Sequence, residues 1–273
     1  MGVTKYDFKG DVAVVTGAAS GIGRCVCLAF ADAGADVAVC DFNAEKGEET
    51  AALCREKGVK AKFYKMDVTD DANVIAVRDE VIKDFGKVTC LHSNAGISQT
   101  VMGPPLESIP DSVWEKVFAV NLFGTVKVCR AFAQPMKEAK FGKIVITASV
   151  AAFQQSALMP VYNCSKIAAL SFMSTLCKEL GNYNINVNAI NPGYVNTPIY
   201  SGGGAMLVKE KVPALQKLET SEQVVKAIAS GSALHRPQTV EDMANGVLFL
   251  CSDTSKEISG VYLNIDSGAI CRI

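Results

Sequence analysis

Short apolar runs rich in β-branched residues alternate along the chain with longer stretches in which apolar residues recur every three or four positions. Runs of the first kind are typical of buried strands, and stretches of the second kind are typical of amphipathic helices. The pattern predicts strands over residues 11–16, 36–41, 61–67, 88–93, 143–148, 185–190 and 260–265. It predicts helices over residues 21–33, 44–57, 71–85, 112–137, 161–180 and 239–250.

This alternation is typical of an α/β protein with a parallel sheet that is covered on both faces. Right-handed crossovers make such a sheet doubly wound, so we predict a Rossmann-like fold of about seven strands. No proline- or serine-rich linker and no internal repeat divides residues 1–273, which predicts a single domain. The irregular stretch from Gly193 to about Ser230 contains Gly202-Gly203-Gly204 and predicts a lid around residues 194–230.

Composition excludes several classes of protein. Hydrophobic residues make up 49% of the 273 positions and charged residues 20%, which is too apolar for a disordered chain. The 27 basic and 28 acidic residues give a net charge of −1, so no basic excess favours nucleic-acid binding. Because no run of about 18 uncharged apolar residues occurs, we expect no membrane-spanning helix.

Ten cysteines lie mostly in apolar stretches without a Cys-x-x-Cys pair, and the chain has two histidines. This pattern predicts buried free thiols in a reducing compartment and argues against a zinc site. The amino-terminal residues contain no apolar signal-peptide segment, so we expect a cytoplasmic protein. The two histidines do not suggest a metal site, so we expect no bound metal. His92 lies in a predicted strand and is expected in the core, whereas His235 is expected in a loop.

A glycine-rich loop with the sequence TGAASGIG, residues 16–23, joins the first predicted strand to the first predicted helix. Its glycines allow a tight turn and a close approach of the backbone to a pyrophosphate. The unpaired amides and the dipole at the start of the helix favour the same anion. A structural turn is the alternative, but the position between strand and helix favours a nucleotide. The predicted contacts come from Gly17, Ser20, Gly21, Ile22 and Gly23.

Asp41 ends the second predicted strand, 18 residues after Gly23. A carboxylate at this point accepts hydrogen bonds from both hydroxyls of an adenosine ribose and repels a 2′-phosphate. Neither Phe42 nor Ser20 supplies a cation for such a phosphate, so the segment predicts NAD rather than NADP. The alternative for Asp41 is an N-cap of the following helix.

Two further strand ends bring polar or small residues to the same edge of the sheet. Asp67 and Val68 follow the third strand, where the Asp67 carboxylate is placed to contact an adenine amino group. Asn94 and Gly96 follow the fourth strand within SNAG, residues 93–96, where small residues let the backbone lie beside a cofactor. Ordinary turn chemistry is the alternative explanation for both segments.

Tyr162 and Lys166 open a predicted helix at positions i and i+4, so both side chains lie on one face. An ammonium beside a phenol favours the phenolate and lowers the pKa of the tyrosine from about 10 towards neutrality. Such a tyrosine can donate and accept a proton during catalysis. Ser149 lies 13 residues upstream, just past the fifth strand, and is expected to reach the same site.

Taken together, these motifs resemble those of the short-chain dehydrogenase/reductase family, and the resemblance runs from Gly10 to about Gly268. Two departures are visible. Ser93 stands where the family usually has asparagine, and Asp266-Ser267-Gly268 replaces the usual Asp-Gly-Gly. The residues that carry the resemblance are TGAASGIG at 16–23, Asp41, Asp67-Val68, SNAG at 93–96, Asn121, Ser149, YNCSK at 162–166 and NPG at 191–193.

The resemblance implies an NAD-dependent oxidoreductase that interconverts a secondary alcohol and a ketone by hydride transfer. Tyr162 would be the general acid/base, and Ser149 would hydrogen-bond the substrate oxygen. Lys166 would hold the nicotinamide ribose and lower the pKa of Tyr162. Asn121 would hold a water that continues the proton relay, unless it is an ordinary polar residue that interrupts a helix. The nicotinamide would be lined by Pro192, Gly193, Val195 and Thr197, with Asn94 and Gly96 flanking the cofactor.

The resemblance also implies a homotetramer in which the helices around Asn121 and Lys166 pair across a two-fold axis. Apolar residues that we expect on the outer faces of these helices are compatible with such pairing, although packing in the core would explain them as well. These residues are Val126, Phe132, Leu170 and Phe172.

Three stretches without charged residues are predicted to line the substrate pocket: residues 150–161, residues 194–208, and Val101, Met102, Pro104 and Pro105 after Gly96. Apolar walls of this kind favour a bulky neutral alicyclic alcohol such as a hydroxysteroid. Gln154, Gln155 and Asn196 keep a polyol or sugar alcohol as the alternative substrate.

Three other activities are disfavoured. A non-catalytic NAD-binding sensor on the same fold would not need Ser149, Tyr162 and Lys166 together. The resemblance to the family also argues against an enoyl-thioester reductase, because that branch has a wider spacing between its tyrosine and lysine than this sequence has. Asp41 and the absence of arginine partners disfavour an NADPH-dependent ketoacyl reductase.

Overall fold

The computed structural model of the chain describes residues 6–100, 103, 105–154, 156–197 and 205–271. The structure has seven strands, which are β1 (Val12–Thr16), β2 (Asp36–Asp41), β3 (Ala61–Lys65), β4 (Cys90–Ser93), β5 (Gly142–Thr147), β6 (Ile185–Pro192) and β7 (Tyr262–Ile265). They form one parallel sheet in the order β3-β2-β1-β4-β5-β6-β7. The strand order reverses between β1 and β4, which creates a crevice at the carboxyl ends of these strands.

Helices cover both faces of this sheet, as a doubly wound fold requires. One apolar core lies between one sheet face and α3, α5 and α6, and the other core lies between the opposite face and α1, α2 and α9. The helices are α1 (Gly21–Asp32), α2 (Ala44–Arg55), α3 (Asp71–Phe85), α4 (Asp111–Phe118), α5 (Thr125–Ala139), α6 (Pro160–Leu180), α7 (Ala205–Lys211), α8 (Ser221–Ala229) and α9 (Val240–Cys251). The predicted Rossmann-like fold is confirmed.

Local signals account for several of the helix boundaries. The side chain of Asp70 accepts the amides of Ala72 and Asn73 and caps α3, which ends at Gly86 in the left-handed region with φ of 77°. Thr220 and Thr239 begin α8 and α9 with capping boxes. Apart from residues 112–137, the predicted strands and helices agree with the structure to within two residues at each end.

The segment predicted as one helix over residues 112–137 is helical throughout, but it is not one regular α-helix. The structure has α4, then a π-helical turn at Ala119–Gly124, then α5. Asn121 lies in this turn, and its side chain bonds outside the helix while its carbonyl accepts the Thr125 hydroxyl at 3.0 Å. Apolar periodicity does not reveal such a widened turn, because the side chains on either side keep a helical spacing.

Two residues expected on outer helix faces lie in the core instead. Phe132 is fully buried and Leu170 is 5% exposed, and both belong to the cluster between the sheet and α3, α5 and α6. The exposed apolar side chains near Asn121 and Lys166 are Phe123 and Ile167, at 55% and 44% exposure. Within the part of the chain that the structure describes, no helix combines the length and apolarity needed to cross a bilayer.

Candidate active site

The glycine-rich loop passes from β1 to the first turn of α1. Gly17 and Gly21 have φ values of 65° and 53°, in the left-handed region that favours glycine. A Cβ atom on Gly23 would lie 2.2 Å from the Gly17 carbonyl oxygen, so a larger residue does not fit. The amides of Gly21, Ile22 and Gly23 come before the first helical bond, which Arg24 donates to the Ser20 carbonyl at 3.2 Å. An anion at this end of α1 therefore finds backbone donors.

The carboxylate of Asp41 is held in place by two backbone amides. Ala19 donates to its Oδ2 at 2.9 Å, and Asn43 donates to its Oδ1 at 2.8 Å. The N-cap alternative for Asp41 is wrong, because the Asn43 side chain caps α2 by accepting the Lys46 amide. Each carboxylate oxygen keeps a further acceptor position, so Asp41 is able to accept ribose hydroxyls.

Asp67 shows turn chemistry at the end of the third strand. Its Oδ1 accepts both the amide and the hydroxyl of Thr69, at 2.9 and 2.6 Å. Asp67 and Val68 nevertheless line the same cavity as Asp41. The turn bonds use one carboxylate oxygen, so they orient the side chain without occupying all of its acceptor positions.

Asn94 follows β4 and forms hydrogen bonds with residues at the ends of β1 and β5. Its amide nitrogen Nδ2 donates to the carbonyls of Thr16 and Gly17 at 3.1 and 3.3 Å, and its Oδ1 accepts the Thr147 hydroxyl at 3.1 Å. Because Thr147 donates to Asn94, the His92 Nε2 that lies 2.8 Å from the same hydroxyl is assigned as a donor. His92 is fully buried, as predicted, and His235 is exposed.

Asn121 holds the loop that follows β4. Its Oδ1 accepts the Ile97 amide at 2.8 Å, while its Nδ2 donates to the Ile97 carbonyl at 2.9 Å and to the Ser165 hydroxyl at 3.0 Å. A Cβ on Gly96 would lie 3.3 Å from this Oδ1 and 3.4 Å from the Lys166 ammonium nitrogen, so both groups flank Gly96. The notion that Asn121 is an ordinary polar residue does not account for this set of bonds.

Ser149, Tyr162 and Lys166 come together above the ends of β5 and β6. The Ser149 hydroxyl hydrogen-bonds the phenol of Tyr162, and its oxygen also accepts the Ala151 amide at 3.1 Å. Lys166 donates from Nζ to the Thr147 carbonyl at 3.0 Å, and this nitrogen lies 5.5 Å from the centre of the Tyr162 ring. The predicted meeting of Ser149 with the Tyr–Lys pair is therefore found.

Burial dominates the pKa values of this trio. It raises the pKa of Tyr162 to about 12, against the lowering effect of the Ser149 hydrogen bond. It also lowers the pKa of Lys166 to about 8, since a buried ammonium loses its hydration. The expected lowering of the Tyr162 pKa by Lys166 is thus not found.

The sequence did not reveal Gln99 as part of this site. Gln99 is 3% exposed, and its Oε1 accepts the amide of Tyr162 at 3.1 Å. This bond satisfies one of the open amides in the first turn of α6, across 63 positions of sequence. A cap that comes from a remote loop leaves no local sequence signal, whereas an adjacent capping residue would.

Hydrogen bonds of Tyr194 and Asn163 connect the segments that form the wall of the site beyond the trio. The Tyr194 hydroxyl donates to Gln154 Oε1 at 3.0 Å, and both residues line the cavity. Asn163 donates to the carbonyls of Gln154 and Ser156, which fixes the loop between Ser149 and α6. Gln154 was predicted as a polar residue of the pocket, but its pairing with Tyr194 was not.

One cavity of about 520 Å³ brings most of these groups together. Asn121 and Gly23 are not among the residues that line it, whereas the other predicted site residues are. Those lining residues are Gly17, Ser20, Gly21, Ile22, Asp41, Asp67, Val68, Asn94, Gly96, Ser149, Tyr162, Lys166, Pro192, Gly193, Val195 and Thr197. Predictions for Val101, Met102, Pro104, Gln155 and Gly202–Gly204 concern positions outside the described residues.

Comparison with known proteins agrees with this geometry. The family model for short chain dehydrogenases matches residues 11–205. A momilactone A synthase of Oryza sativa subsp. japonica is 34% identical over 266 residues, which cover 95% of this chain and 89% of that protein. A cyclohexanol dehydrogenase of Rhodococcus sp. (strain TK6) is 32% identical over 282 residues, which cover 95% and 96% of the two chains.

Solved structures extend the likeness to the whole fold. An NAD⁺-bound xylitol dehydrogenase has a TM-score of 0.86 at 33% identity, over 96% of this chain and 99% of that one. A 7α-hydroxysteroid dehydrogenase in complex with NADH and 7-oxo glycochenodeoxycholic acid has a TM-score of 0.83 at 28% identity, over 98% and 97%. From the family match, the relatives and the shared fold, the chain belongs to the short-chain dehydrogenase/reductase family and is an oxidoreductase that acts on CH–OH groups.

Proposed function

We propose that the chain is an NAD(H)-dependent dehydrogenase that interconverts a secondary alcohol and a ketone, with a bulky neutral alicyclic alcohol such as a hydroxysteroid as the preferred substrate. The observation that carries this proposal is the cavity itself. It brings the Ser149–Tyr162–Lys166 trio and the Asp41 carboxylate into one continuous space with the glycine-rich loop. Proton transfer and nucleotide binding are thus possible in one site.

The trio performs the proton chemistry of this reaction. During oxidation, the Tyr162 phenolate accepts the alcohol proton while the Ser149 hydroxyl hydrogen-bonds the substrate oxygen. Lys166 would hold the nicotinamide ribose, and the hydrogen bond from Ser149 lowers the pKa of Tyr162. Asn121 orients the 97–99 loop and, through a water, extends the proton path from Lys166. A bound nicotinamide would supply the hydride acceptor, and the hydride would come from the alcohol carbon whose hydroxyl gives its proton to Tyr162.

The NAD preference rests on the wall around the adenosine ribose. Asp41 ends β2 with both carboxylate oxygens anchored, and no lining residue among those described supplies a cation there to hold a 2′-phosphate. A phosphate against this fixed carboxylate would suffer charge repulsion. The anchored Asp41 therefore favours NAD. In the glycine-rich loop, the backbone donors beside Ser20, Ile22 and Gly23 hold the pyrophosphate.

The substrate preference rests on the rest of the lining. Among the described lining residues, the charged side chains are Asp41, Asp67 and Lys166, all of which belong to the cofactor or catalytic positions. A phosphorylated or carboxylated substrate would normally be held by arginine or lysine. The apolar lining beyond the trio suits a large neutral ring system. It comes from Ile97, Val150, Leu158, Met159, Val208 and Ile228.

The hydrogen-bonded pair of Tyr194 and Gln154 favours a second candidate, a polyol. The pair offers a phenol oxygen and an amide nitrogen, and Ser156 and Asn163 add polar groups to the same cavity. These groups suit the additional hydroxyls of a sugar alcohol. The two solved structures described above are named for a polyol and a steroid substrate, so the fold accommodates either class.

The decisive experiment follows reduced nicotinamide by absorbance. The purified chain is incubated with NAD or NADP and with panels of hydroxysteroids, monocyclic alcohols and hexitols, and Tyr162→Phe serves as the control for contaminating activity. We expect reduction of NAD with alicyclic alcohols and little with hexitols. Faster turnover of hexitols with inert steroids would select the second candidate, whereas a preference for NADP would contradict the cofactor assignment.

Three further properties belong to the same proposal. The chain forms a single catalytic domain in which residues 194–230 act as a substrate lid. Four protomers assemble through the helices around Asn121 and Lys166, where Phe123 and Ile167 are exposed. Ten cysteines, of which none forms a disulfide among the described residues, suit a reducing cytoplasm. Light scattering at micromolar protein tests the assembly, and a monomeric mass would refute it.

A further inference from the structure

We propose that Gln238 and Ser267 are positioning residues that fix the main chain of residues 193–195, and we call this pair the Gln238–Ser267 bracket. The inference rests on the proposed function, since it needs a bound nicotinamide, which the family resemblance places against Pro192, Gly193, Val195 and Thr197. It also accounts for the departure of Asp266-Ser267-Gly268 from the family's usual Asp-Gly-Gly.

Gln238 engages both polar groups of Tyr194's backbone. Its side-chain Oε1 accepts the Tyr194 amide at 2.7 Å, and its own amide donates to the Tyr194 carbonyl at 3.2 Å. The neighbouring Val195 pairs with Gln238 as an isolated parallel bridge. Because Gln238 is 6% exposed, water does not compete well for these bonds. Gln238 therefore forms with this segment the kind of backbone pairing that a neighbouring strand would provide.

Ser267 determines which way the Gln238 amide points. Gln238 Nε2 donates to the Ser267 hydroxyl at 2.7 Å and to the Arg236 carbonyl at 3.1 Å. With two acceptors on the nitrogen side, Oε1 is directed to the Tyr194 amide. Ser267 has φ of 55°, in the left-handed region where glycine is the easier residue. The serine hydroxyl thus supplies a bond that a glycine at this position would lack.

Close packing couples the Gln238–Ser267 bracket to residues that line the cavity. A Cβ on Gly193 would lie 2.4 Å from Gln238 Oε1 and 2.7 Å from the Asp266 Cα. Gly193 also donates its amide to the Ile265 carbonyl at 3.0 Å. Gly193, Tyr194 and Val195 all line the cavity, so they cannot shift independently of Gln238. A displacement of roughly 1 Å in a reacting geometry is able to cost about 100-fold in rate.

The test compares Gln238→Ala, Ser267→Gly and the double variant with the unaltered chain. Gln238→Ala should weaken NADH binding, measured by fluorescence titration, by about tenfold, since the bonds that hold the segment are lost. Ser267→Gly should weaken it by about threefold, because Gln238 keeps its bond to Arg236. The double variant should bind no more weakly than Gln238→Ala, as expected for two residues that act through one another.

Thermal unfolding separates positioning from a structural role. Ser267→Gly removes one hydrogen bond but also the strain of a left-handed serine, so its melting temperature should change by about 3 °C or less while NADH binding falls. Gln134→Ala is the matched control, because Gln134 is exposed on α5 and bonds to Arg78. It should change neither quantity.

Two results would overturn the proposal in distinguishable ways. If Gln238→Ala and Ser267→Gly bind NADH as tightly as the unaltered chain and turn over at the same rate, the bracket does not position the segment, although the proposed function stands. If the unaltered chain binds no nicotinamide nucleotide, the proposed function itself is wrong and the bracket is wrong with it.

Discussion

The two sides of the cavity are held together in different ways. The nucleotide side, which we define as residues 16–23, 41 and 67–68, depends on backbone groups and glycines close to one another in sequence, as in the contact of Gly23 with Gly17. The substrate side, which we define as residues 149–154, 156–163 and 192–197 and which would also receive the nicotinamide, depends on side-chain bonds between remote residues. Gln99 and Tyr162 are 63 positions apart, and Gln154 and Tyr194 are 40 apart.

This difference has a consequence for how each side tolerates change. A nucleotide site made of backbone geometry permits few substitutions, because each one alters the turn itself. A substrate wall made of side-chain pairs is able to change one pair at a time while the sheet beneath it stays intact. The fold can therefore keep one cofactor and serve different alcohols.

The largest expected effect comes from Tyr162→Phe on the substrate side. Loss of the phenol oxygen removes the proton acceptor, so kcat should fall by about 1,000-fold or more while NADH binding changes less than about threefold. Steady-state rates and fluorescence titration measure the two quantities. Tyr183→Phe is the matched control, since Tyr183 is 38% exposed and lies beside Lys137. Retention of most activity in Tyr162→Phe would contradict its role.

Gly23→Ala should be next, and it acts on the nucleotide side. The added methyl group would lie 2.2 Å from the Gly17 carbonyl oxygen, so the loop must open and NADH affinity should fall by about 100-fold. Gly181→Ala is the control, because a Cβ there meets nothing within 4 Å. Equal NADH binding by the two variants would show that the loop adapts, and the two sides would then differ less than we infer.

Acid should destabilise the fold through His92, which lies in β4 beneath the cavity and contacts the Thr147 hydroxyl. Burial lowers the pKa of His92 from 6.5 to about 3. Between these values the unfolded chain binds a proton that the folded chain does not, so the free energy of unfolding decreases as the pH falls. The slope is about 1.4 kcal/mol per pH unit.

Urea unfolding at a series of pH values from 7 to 4 checks this dependence. The His92→Gln variant keeps a donor for the Thr147 hydroxyl but does not titrate, so its stability should fall less steeply on acidification than that of the unaltered chain. Parallel curves for the two proteins would show that His92 takes up its proton in the folded state as well.

Asp41→Ala should have a smaller effect, on cofactor choice. The substitution removes acceptors for the ribose hydroxyls and the repulsion of a 2′-phosphate, so the ratio of kcat/KM for NAD over NADP should fall by about tenfold. Asp36→Ala at the opposite end of β2 is the matched control. An unchanged ratio would locate cofactor discrimination elsewhere on the nucleotide side.

Gln154→Leu should have the smallest effect, and it sharpens the choice between substrate classes. Leucine preserves the bulk but removes the amide that pairs with Tyr194, so KM should rise about fivefold for a polyol and change little for an alicyclic alcohol. Kinetic constants for one substrate of each class measure the split. An equal rise for both classes would mean that the pair supports the wall rather than contacts the substrate.

Much of the site could be predicted because its parts are strand ends. Residues that follow β1, β2, β3, β4 and β5 meet at one edge of a parallel sheet, so correct strands place their chemistry correctly. The π-helical turn at Ala119–Gly124 could not be predicted in this way. The bonds of Asn121 to Ile97 and Ser165 depend on the positions of other elements, to which periodicity is not sensitive.

The sequence by itself determined the alternation of strands and helices, the glycine-rich loop, Asp41 and the Tyr162–Lys166 spacing, because each depends on residues close together in the chain. Tertiary structure alone decided the burial of Phe132 and Leu170, the high pKa of Tyr162, and the pairing of Gln238 with Ser267. Burial and long-range hydrogen bonds depend on which remote segments meet, and that becomes defined when the whole sheet and its helices are assembled.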